Sequence, residues 1–212
     1  MTAEVLVVCT ANVCRSPVAA ALLDRRVHAS GRGDLVVRSA GTAAVTGAGV
    51  CPEAVRLLLG AEDGAPDGGD PLSSHAARPV DRAALRAADL VLVMTRDHRA
   101  AVAALDPLSR SRTFTLREAA TLGEAVGVGD AADVTRLVEA MDAARGLVPL
   151  AAAPPSGSWR RLRRRRTEVD AGVDVADAHT DRVSHAAVAA LLDDSVARLA
   201  AVLAGPRRVA SG

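Results

Sequence analysis

The sequence predicts an α/β fold, a three-layer sandwich in which helices cover both faces of a small four-stranded parallel sheet. Four short apolar runs, several of them rich in valine, have the composition of strands that are buried on both faces. Stretches with apolar residues at helical spacing separate these runs, and such a strand-helix-strand succession favours right-handed parallel connections. The predicted strands are residues 4–9, 35–38, 89–94 and 113–116.

The first predicted helix follows the first strand after a short loop. Ser16 is expected to be its N-cap and Pro17 its first helical residue, because serine caps helices well and proline suits the first turn. The helix then continues through the apolar positions of residues 18–28. Further helices are predicted at residues 51–60, 80–88, 97–105, 117–122, 133–146 and 183–203, the last with an apolar stripe along one face.

The chain is long enough for one sizeable core, and half of its 212 residues are apolar, as in globular proteins. We expect a single domain at residues 1–205, with an insertion or flexible segment at about 123–173 and a tail at 206–212. The segment contains a stretch rich in Pro, Ala, Gly and Ser, followed by a run of arginines. That run is expected to be a solvated insertion or a docking patch for an acidic partner or a phosphorylated substrate.

Charge, hydropathy and cysteine content exclude several classes of protein. A formal net charge of +1 gives no general affinity for nucleic acid. No apolar run approaches the length of a membrane-spanning helix, and the first residues have no features of a secretory signal. Three cysteines, an odd number, do not suggest a disulfide framework. We therefore expect a cytoplasmic protein that binds neither nucleic acid nor membranes, and nothing in the sequence points to a particular oligomeric state.

The loop after the first strand, residues 9–16 and here called the cysteine loop, predicts a nucleophile beside an anion site. Strand, loop and helix place Cys9 at a helix N-terminus, where backbone N–H groups and the helix dipole favour an anion. These surroundings, with Arg15 nearby, also favour the thiolate form of a cysteine. Arg15 can grip two oxygens of a phosphoryl group with its planar guanidinium. Asn12, the single asparagine of the chain, suits the centre of a tight loop because asparagine tolerates a left-handed conformation.

On the basis of these residues, the sequence resembles the low-molecular-weight protein tyrosine phosphatases. The signature loop of that family matches residues 8–17 in register and position. Further matches follow in the family's order, at residues 39–42, 75–78 and 88–94 and at Asp177 before the last helix. The resemblance covers roughly residues 4–122 and 174–203 and implies a phosphotyrosine phosphatase I-like fold.

The resemblance implies a phosphomonoesterase that needs no cofactor and no metal and works through a cysteinyl-phosphate. Cys9 would attack phosphorus, Arg15 would hold the equatorial oxygens, and Ser16 would donate to the sulfur as it leaves. Asp177 would protonate the leaving oxygen and later take a proton from water. The substrate would be a phosphorylated protein, with a tyrosine kinase or its targets as candidates. The phosphate would be surrounded by Thr10, Ala11, Asn12, Val13, Cys14 and Ser16, and Asn12 and Ser39 would support the loop through side-chain hydrogen bonds.

Two positions differ from the family pattern. Ala11 stands where the family has glycine, so its Cβ is expected to intrude where the backbone approaches closely or φ is positive. Asp177 is followed by Ala178 and not by proline and aromatic residues, and the chain has one Phe, one Trp and no Tyr. Stacking on a phosphotyrosine ring would therefore depend on His179 or on the remote Trp159.

Several of these residues have more than one interpretation. Cys14 is expected to be structural or to form a reversible disulfide with Cys9, which would protect the nucleophile from overoxidation. Asp174 and Asp181 are rivals of Asp177 as the acid. We expect His75 and Arg78 to brace loops. His98 and His185 are expected at the surface, and Cys51 in the core or in a partly exposed position.

Two other functions compete with the phosphatase. An arsenate reductase on the same fold would relay electrons through a separate cysteine pair, and because no cysteine follows Cys51, an external thiol would have to replace it. A phosphate-binding module with weakened catalysis would fit Ala11 and the altered surroundings of Asp177.

Overall fold

The computed structural model describes residues 2–59, 72–127, 133–150 and 172–205. Its strands are β1 (Ala3–Cys9), β2 (Leu35–Gly41), β3 (Leu90–Val93) and β4 (Thr113–Thr115). They form one parallel sheet in the order β2-β1-β3-β4. The predicted fold class, an α/β fold with a four-stranded parallel sheet, is thereby confirmed.

The order of the strands places a crevice at one end of β1. Because β1 pairs with β2 on one side and with β3 on the other, the chain changes direction across the sheet after β2. Open parallel sheets bind ligands outside the carboxyl ends of their strands at such a reversal. Cys9 ends β1 and pairs in register with Gly41, which ends β2. The topology therefore puts the start of the cysteine loop at the expected binding edge.

The helices lie in two layers, one on each face of the sheet, because successive side chains of β1 point to opposite faces. Val5 and Val7 belong to the larger apolar cluster, and Leu6 and Val8 belong to the smaller one. Since both faces are covered, residues 5–8 of β1 and all of β3 are continuous apolar runs. No helix in the described ranges is both long and apolar enough to cross a membrane. The larger cluster is built with α1 (Arg15–Ala29), α2 (Pro52–Leu59), α5 (Leu116–Val126), α6 (Val134–Ala143) and α7 (His185–Ala204), and the smaller with α3 (Arg82–Ala87) and α4 (Arg96–Leu105).

Helix α1 begins earlier than the sequence predicts. Its first residue is Arg15 and its N-cap is Cys14, which makes no side-chain capping bond. The expectation that Ser16 is the N-cap and Pro17 the first helical residue is therefore wrong. The physical reason is that the Ser16 hydroxyl bonds to groups of the cysteine loop and of β2, described below, and so is not available as a cap.

Part of the segment at residues 123–173 belongs to the core. Helix α5 continues to Val126, and α6 buries Val134, Leu137, Val138 and Met141. The arginine run at 159–166 and the tail at 206–212 lie outside the described residues. The division into one domain, an insertion and a tail stays a prediction.

Candidate active site

Cys9 is the last residue of β1 and only 2% of it is exposed. Its sulfur accepts a hydrogen bond from the backbone N–H of Asn12 at 3.3 Å and lies 3.0 Å from the hydroxyl oxygen of Ser16. Both partners belong to the cysteine loop, so the loop turns back toward the end of its own strand. Donors directed at a sulfur stabilise negative charge on it.

Asn12 is fully buried and ties the cysteine loop to its neighbours. Its φ is 56°, in the left-handed region that asparagine tolerates. The side-chain amide donates to the hydroxyls of Ser16 at 3.0 Å and Ser39 at 2.9 Å. Its side-chain carbonyl accepts from the backbone N–H of Arg78 at 3.0 Å, and its backbone carbonyl accepts from His75 Nε2 at 2.7 Å. Asn12 thus joins the loop to β2 and to the segment after it, where His75 and Arg78 brace it as predicted.

The Ser16 hydroxyl has one proton and three polar neighbours. It accepts from the amide of Asn12, and its oxygen lies 3.0 Å from the sulfur of Cys9 and 3.2 Å from the carbonyl oxygen of Ala40. When the sulfur is a thiolate, the Ser16 proton can turn to it, and when the sulfur is a thiol, the proton can turn to Ala40. Ser16 can therefore stabilise a charged sulfur without moving its oxygen.

Gly41 ends β2 directly against the cysteine loop. A Cβ at this position would lie 2.5 Å from the carbonyl oxygen of Thr10 and 2.9 Å from the backbone nitrogen of Asn12. These are backbone atoms, which cannot move aside as the end of a flexible side chain can. On the same edge, the backbone N–H of Thr42 donates to the carbonyl of Cys9 at 2.9 Å. The close approach of strand and loop therefore requires glycine.

Arg15 is 4% exposed and connects the cysteine loop to Asp177. Its guanidinium donates to the carbonyl of Val175 at 3.0 Å and to the hydroxyl of Thr10 at 3.4 Å. It also forms a short salt bridge with the carboxylate of Asp177, whose side chain is 20% exposed. The structure thus brings together an arginine, a carboxylate and the edge of the loop that contains Cys9.

The segment at residues 172–184, here called the Asp177 loop, is attached to the sheet at its start. The backbone N–H of Val175 donates to the carbonyl of Met94 at 2.7 Å, just beyond β3. Asp174 pairs with Arg96 at 2.9 Å in a half-exposed ion pair. These contacts place the loop over the carboxyl end of β3.

Three carboxylates of this loop are candidates for the acid that protonates the leaving oxygen. Asp174 is bound to Arg96, and Asp181 accepts a hydrogen bond from the backbone N–H of Asp177 at 2.6 Å. Asp177 is the one of the three that contacts Arg15. Its other carboxylate oxygen accepts from the backbone N–H of His179 at 2.9 Å. The geometry therefore favours Asp177 over its rivals.

His98, in α4, is a buried neighbour of the site. Its predicted position at the surface is therefore wrong. It is 7% exposed, with Nε2 2.9 Å from the hydroxyl of Thr10 and Nδ1 2.7 Å from that of Thr95. Burial, together with the charge of Arg15, lowers the pKa of His98 to about 4, so its ring is neutral at physiological pH. The position of His98 in the sequence could have indicated its burial, because it lies in the first helical turn after β3, at the edge of the sheet where the site forms.

The other two cysteines lie beside the cysteine loop. Cys14 is buried and Cys51 is half-buried, and all three cysteines are free in this structure, so the reversible Cys9–Cys14 disulfide stays a prediction. Burial, with Cys51 and Cys9 nearby, raises the pKa of Cys14 to about 12, which keeps it a thiol at neutral pH. The sulfur of Cys51 lies 3.8 Å from Nε2 of His185, which is partly exposed, as expected of a residue at the surface.

Comparison with known proteins assigns this chain to a family. The family described as low molecular weight phosphotyrosine protein phosphatase matches residues 4–134. The chain belongs to this family. The resemblance inferred from the sequence is therefore confirmed.

Individual relatives are similar to this chain over about half of its length. The low molecular weight protein-tyrosine-phosphatase Wzb of Salmonella typhi is 39% identical over 111 residues, which cover 52% of this chain and 66% of the relative, just under two thirds of its length. A protein-arginine-phosphatase of Bacillus subtilis (strain 168) is 33% identical over 118 residues, 56% of this chain and 73% of the relative. Among solved structures, a low molecular weight protein tyrosine phosphatase from T. tengcongensis superposes with a TM-score of 0.59 at 24% identity, covering 93% of this chain and 97% of the other.

Ala11, which stands where the family has glycine, does not have the expected positive φ. Among the described non-glycine residues, only Asn12 and Arg182 have one. The positive-φ part of the expectation is wrong because the left-handed turn of the loop falls at the next residue, whereas the backbone of Ala11 does lie close to Gly41. Ala11 itself is partly exposed.

Among the described residues, no phenyl or indole ring is placed to stack on a substrate ring. Phe114 is fully buried under the guanidinium of Arg145, which lies 3.9 Å from the centre of its ring. Trp159 lies outside the described residues, and the sequence contains no Tyr. The exposed imidazole of His179 is the ring that lies near Asp177 along the loop.

Proposed function

We propose that the chain is a cysteine-dependent phosphatase that hydrolyses phosphorylated proteins, with phosphotyrosine as the favoured substrate, through a cysteinyl-phosphate. The observation that carries the proposal is the arrangement of Cys9, Ser16 and Arg15: a sulfur with two polar partners lies at the end of β1, in the same loop as a buried guanidinium. All three residues lie within the part of the chain that matches the family. A tyrosine kinase or its targets are the candidate partners.

In the first step of the proposed reaction, the sulfur of Cys9 attacks phosphorus and the bond to the substrate oxygen breaks. Arg15 gives up its contact with Asp177 and binds the equatorial phosphoryl oxygens. Asp177, in its protonated form, gives its proton to the leaving oxygen. Most of the rate enhancement would come from positioning and charge stabilisation, as in phosphoryl transfer generally.

In the second step, a water molecule attacks the phosphorus of the cysteinyl-phosphate. Asp177, now a carboxylate, takes a proton from the water, the phosphorus–sulfur bond breaks, and phosphate leaves. The Ser16 hydroxyl, whose oxygen lies 3.0 Å from the sulfur, donates a hydrogen bond to the departing thiolate. Asn12 and Ser39 hold the loop in shape during both steps.

The proposal is tested by hydrolysis of p-nitrophenyl phosphate with the wild type and with Cys9→Ser. We expect activity in the wild type and a loss of at least about 10³-fold in the variant, because a serine hydroxyl is a far weaker nucleophile without a base. The control is Ser30→Ala, at the opposite end of α1 from Arg15. Equal rates for wild type and Cys9→Ser would contradict the proposal, and tight phosphate or vanadate binding without turnover at any pH would indicate a phosphate-binding module.

A second substrate class, protein phosphoarginine, is favoured by one observation. The Bacillus relative is a protein-arginine-phosphatase, and the one phenyl ring among the described residues of this chain, that of Phe114, is buried under Arg145 and is not available to select a substrate ring. Two peptides that differ only in phosphotyrosine against phosphoarginine would decide between the classes. A kcat/KM at least about tenfold higher for phosphotyrosine is expected, and the reverse ratio would assign the enzyme to phosphoarginine.

A further inference from the structure

Four potential metal ligands converge beside the cysteine loop. They come from distant parts of the chain, and each offers one ligand atom, all four atoms lying within 4.8 Å of one another. Cys14 is the N-cap of α1, and Cys51 precedes the first residue of α2. His179 belongs to the Asp177 loop, and His185 is the first residue of α7. The resemblance to the low-molecular-weight phosphatases implies no metal, so the sequence does not predict this cluster.

The distances fit a tetrahedral metal ion. Zinc binds thiolate sulfur at about 2.3 Å and imidazole nitrogen at about 2.0–2.1 Å, so a tetrahedron sets two nitrogens about 3.3 Å apart and a sulfur and a nitrogen about 3.6 Å apart. The Nε2 atoms of His179 and His185 are 3.4 Å apart. The sulfur of Cys51 and Nε2 of His185 are 3.8 Å apart. Small shifts of the side chains would therefore complete the coordination sphere.

Hydrogen bonds to the backbone support two of these ligands, Cys51 and His185, before any metal binds. The backbone N–H of Cys51 donates to the carbonyl of Val13 at 2.5 Å, which holds Cys51 against the residue that precedes Cys14. Ser184 caps α7 by accepting from the backbone N–H of Ala187 at 3.1 Å, which sets the position of His185. Such support reduces the ordering that a bound metal would otherwise require.

We propose that Cys14, Cys51, His179 and His185 bind Zn²⁺ in a tetrahedral site. Zinc is the common metal for two thiolates and two imidazoles. The two thiols release their protons when the metal binds, and the two thiolates balance the charge of the ion. The binding itself does not depend on the proposed phosphatase activity.

The site would join the Asp177 loop to the cysteine loop. His179 lies two residues after Asp177 and donates its backbone N–H to that carboxylate, and Cys14 directly precedes Arg15. A metal bound to both would hold the acid loop over the guanidinium. Its role is therefore to position Asp177, and it takes no part in the bonds that form and break at phosphorus.

The test is titration of the full chain, kept reduced with a phosphine, first with Co²⁺ and then with competing Zn²⁺. We expect one Co²⁺ per chain, with the intense visible bands and thiolate-to-metal charge transfer of tetrahedral coordination, and displacement by Zn²⁺. Cys51→Ser and His185→Ala should each weaken Zn²⁺ binding at least about 100-fold, since even residues that merely contact a ligand change affinity 10- to 100-fold. Zn²⁺ should raise the Tm of the wild type but not that of Cys51→Ser.

Two control variants separate this site from others. Cys9→Ser should retain the spectrum and the stoichiometry, because its sulfur is not a ligand. His28→Ala replaces an exposed histidine of α1 and should also behave as the wild type. The proposal is overturned if the reduced wild type shows no tetrahedral spectrum, if the spectrum persists in both ligand variants, or if it disappears in Cys9→Ser. A Cys14–Cys51 disulfide in the untreated protein, with no metal binding after its reduction, would overturn it equally.

Discussion

The cysteine loop and the Asp177 loop meet at Arg15 but are built differently. The first is mostly buried, with Asn12 hydrogen-bonded to five other residues and Gly41 close to its backbone. The second is more exposed and is attached through the backbone of Val175 and a half-exposed ion pair. The difference matches the proposed chemistry. The sulfur and the phosphoryl oxygens need fixed positions, whereas Asp177 must exchange Arg15 for successive partners during one turnover.

The largest effect should come from the Asp177 loop. Asp177→Asn removes the proposed proton donor, so we expect kcat to fall about 10²–10⁴-fold on phenyl phosphates with poor leaving groups and much less on p-nitrophenyl phosphate. The dependence of kcat on leaving-group pKa measures this. Asp174→Asn and Asp181→Asn are the matched controls, and a steeper dependence in either of them would reassign the acid.

In the cysteine loop, a purely structural change should impair both folding and catalysis. Gly41→Ala puts a Cβ 2.5 Å from the carbonyl oxygen of Thr10. We expect the free energy of unfolding to fall by about 1–3 kcal/mol and kcat to fall about 10²-fold as the loop is displaced. Denaturant unfolding and steady-state kinetics measure the two effects. Gly49→Ala is the control, because nothing lies within 4 Å of its added Cβ, and wild-type behaviour of both variants would disprove the close contact.

His98 should give a smaller effect that depends on pH. Its pKa is 6.5 in a free histidine and about 4 in the fold. Between these values the unfolded chain binds more protons, so the contribution of His98 to stability is present above about pH 6.5 and is lost as the pH falls toward 4, by about 1–3 kcal/mol.

Urea unfolding at pH 7 and at pH 4.5 would reveal this contribution. In His98→Gln the loss of stability between the two pH values should be smaller than in the wild type, since glutamine has no proton to bind there. An identical loss in both proteins would show that His98 is accessible to protons in the fold.

The smallest effect is expected at the exposed anchor of the Asp177 loop. Asp174→Asn breaks the pair with Arg96, in which the two side chains are 32% and 50% exposed. Such pairs contribute less than about 1 kcal/mol, so Tm and kcat should stay close to the wild type. A large loss of kcat on p-nitrophenyl phosphate would mean that this anchor sets the position of Asp177, and that the two loops are more alike than their burial indicates.

The sequence predicted the cysteine loop well because its chemistry is local. Cys9, Arg15 and Ser16 lie within eight residues, and a strand and a helix on either side leave the loop few conformations. The sheet was predictable for a similar reason, since its two central strands, β1 and β3, are buried on both faces along most of their length and are made almost wholly of apolar residues.

What could not be predicted depends on which groups meet after folding. His98 has the sequence context of a surface helix, and its burial follows from the approach of Thr10 to the first turn of α4. The Ser16 hydroxyl was expected to cap a helix, but Asn12 and Ala40 take its hydrogen bonds. The convergence of Cys14 with His185 joins positions that no local pattern connects.

The contact at Gly41 also limits how this loop could be reused. Residues 9–16 look like a portable motif, a short stretch that a protein engineer might graft between a strand and a helix of another scaffold. Their backbone, however, rests on a glycine supplied by the neighbouring strand, paired in register with Cys9. The transferable unit is therefore two adjacent parallel strands with the loop between them, and a recipient must carry glycine at the end of the second strand.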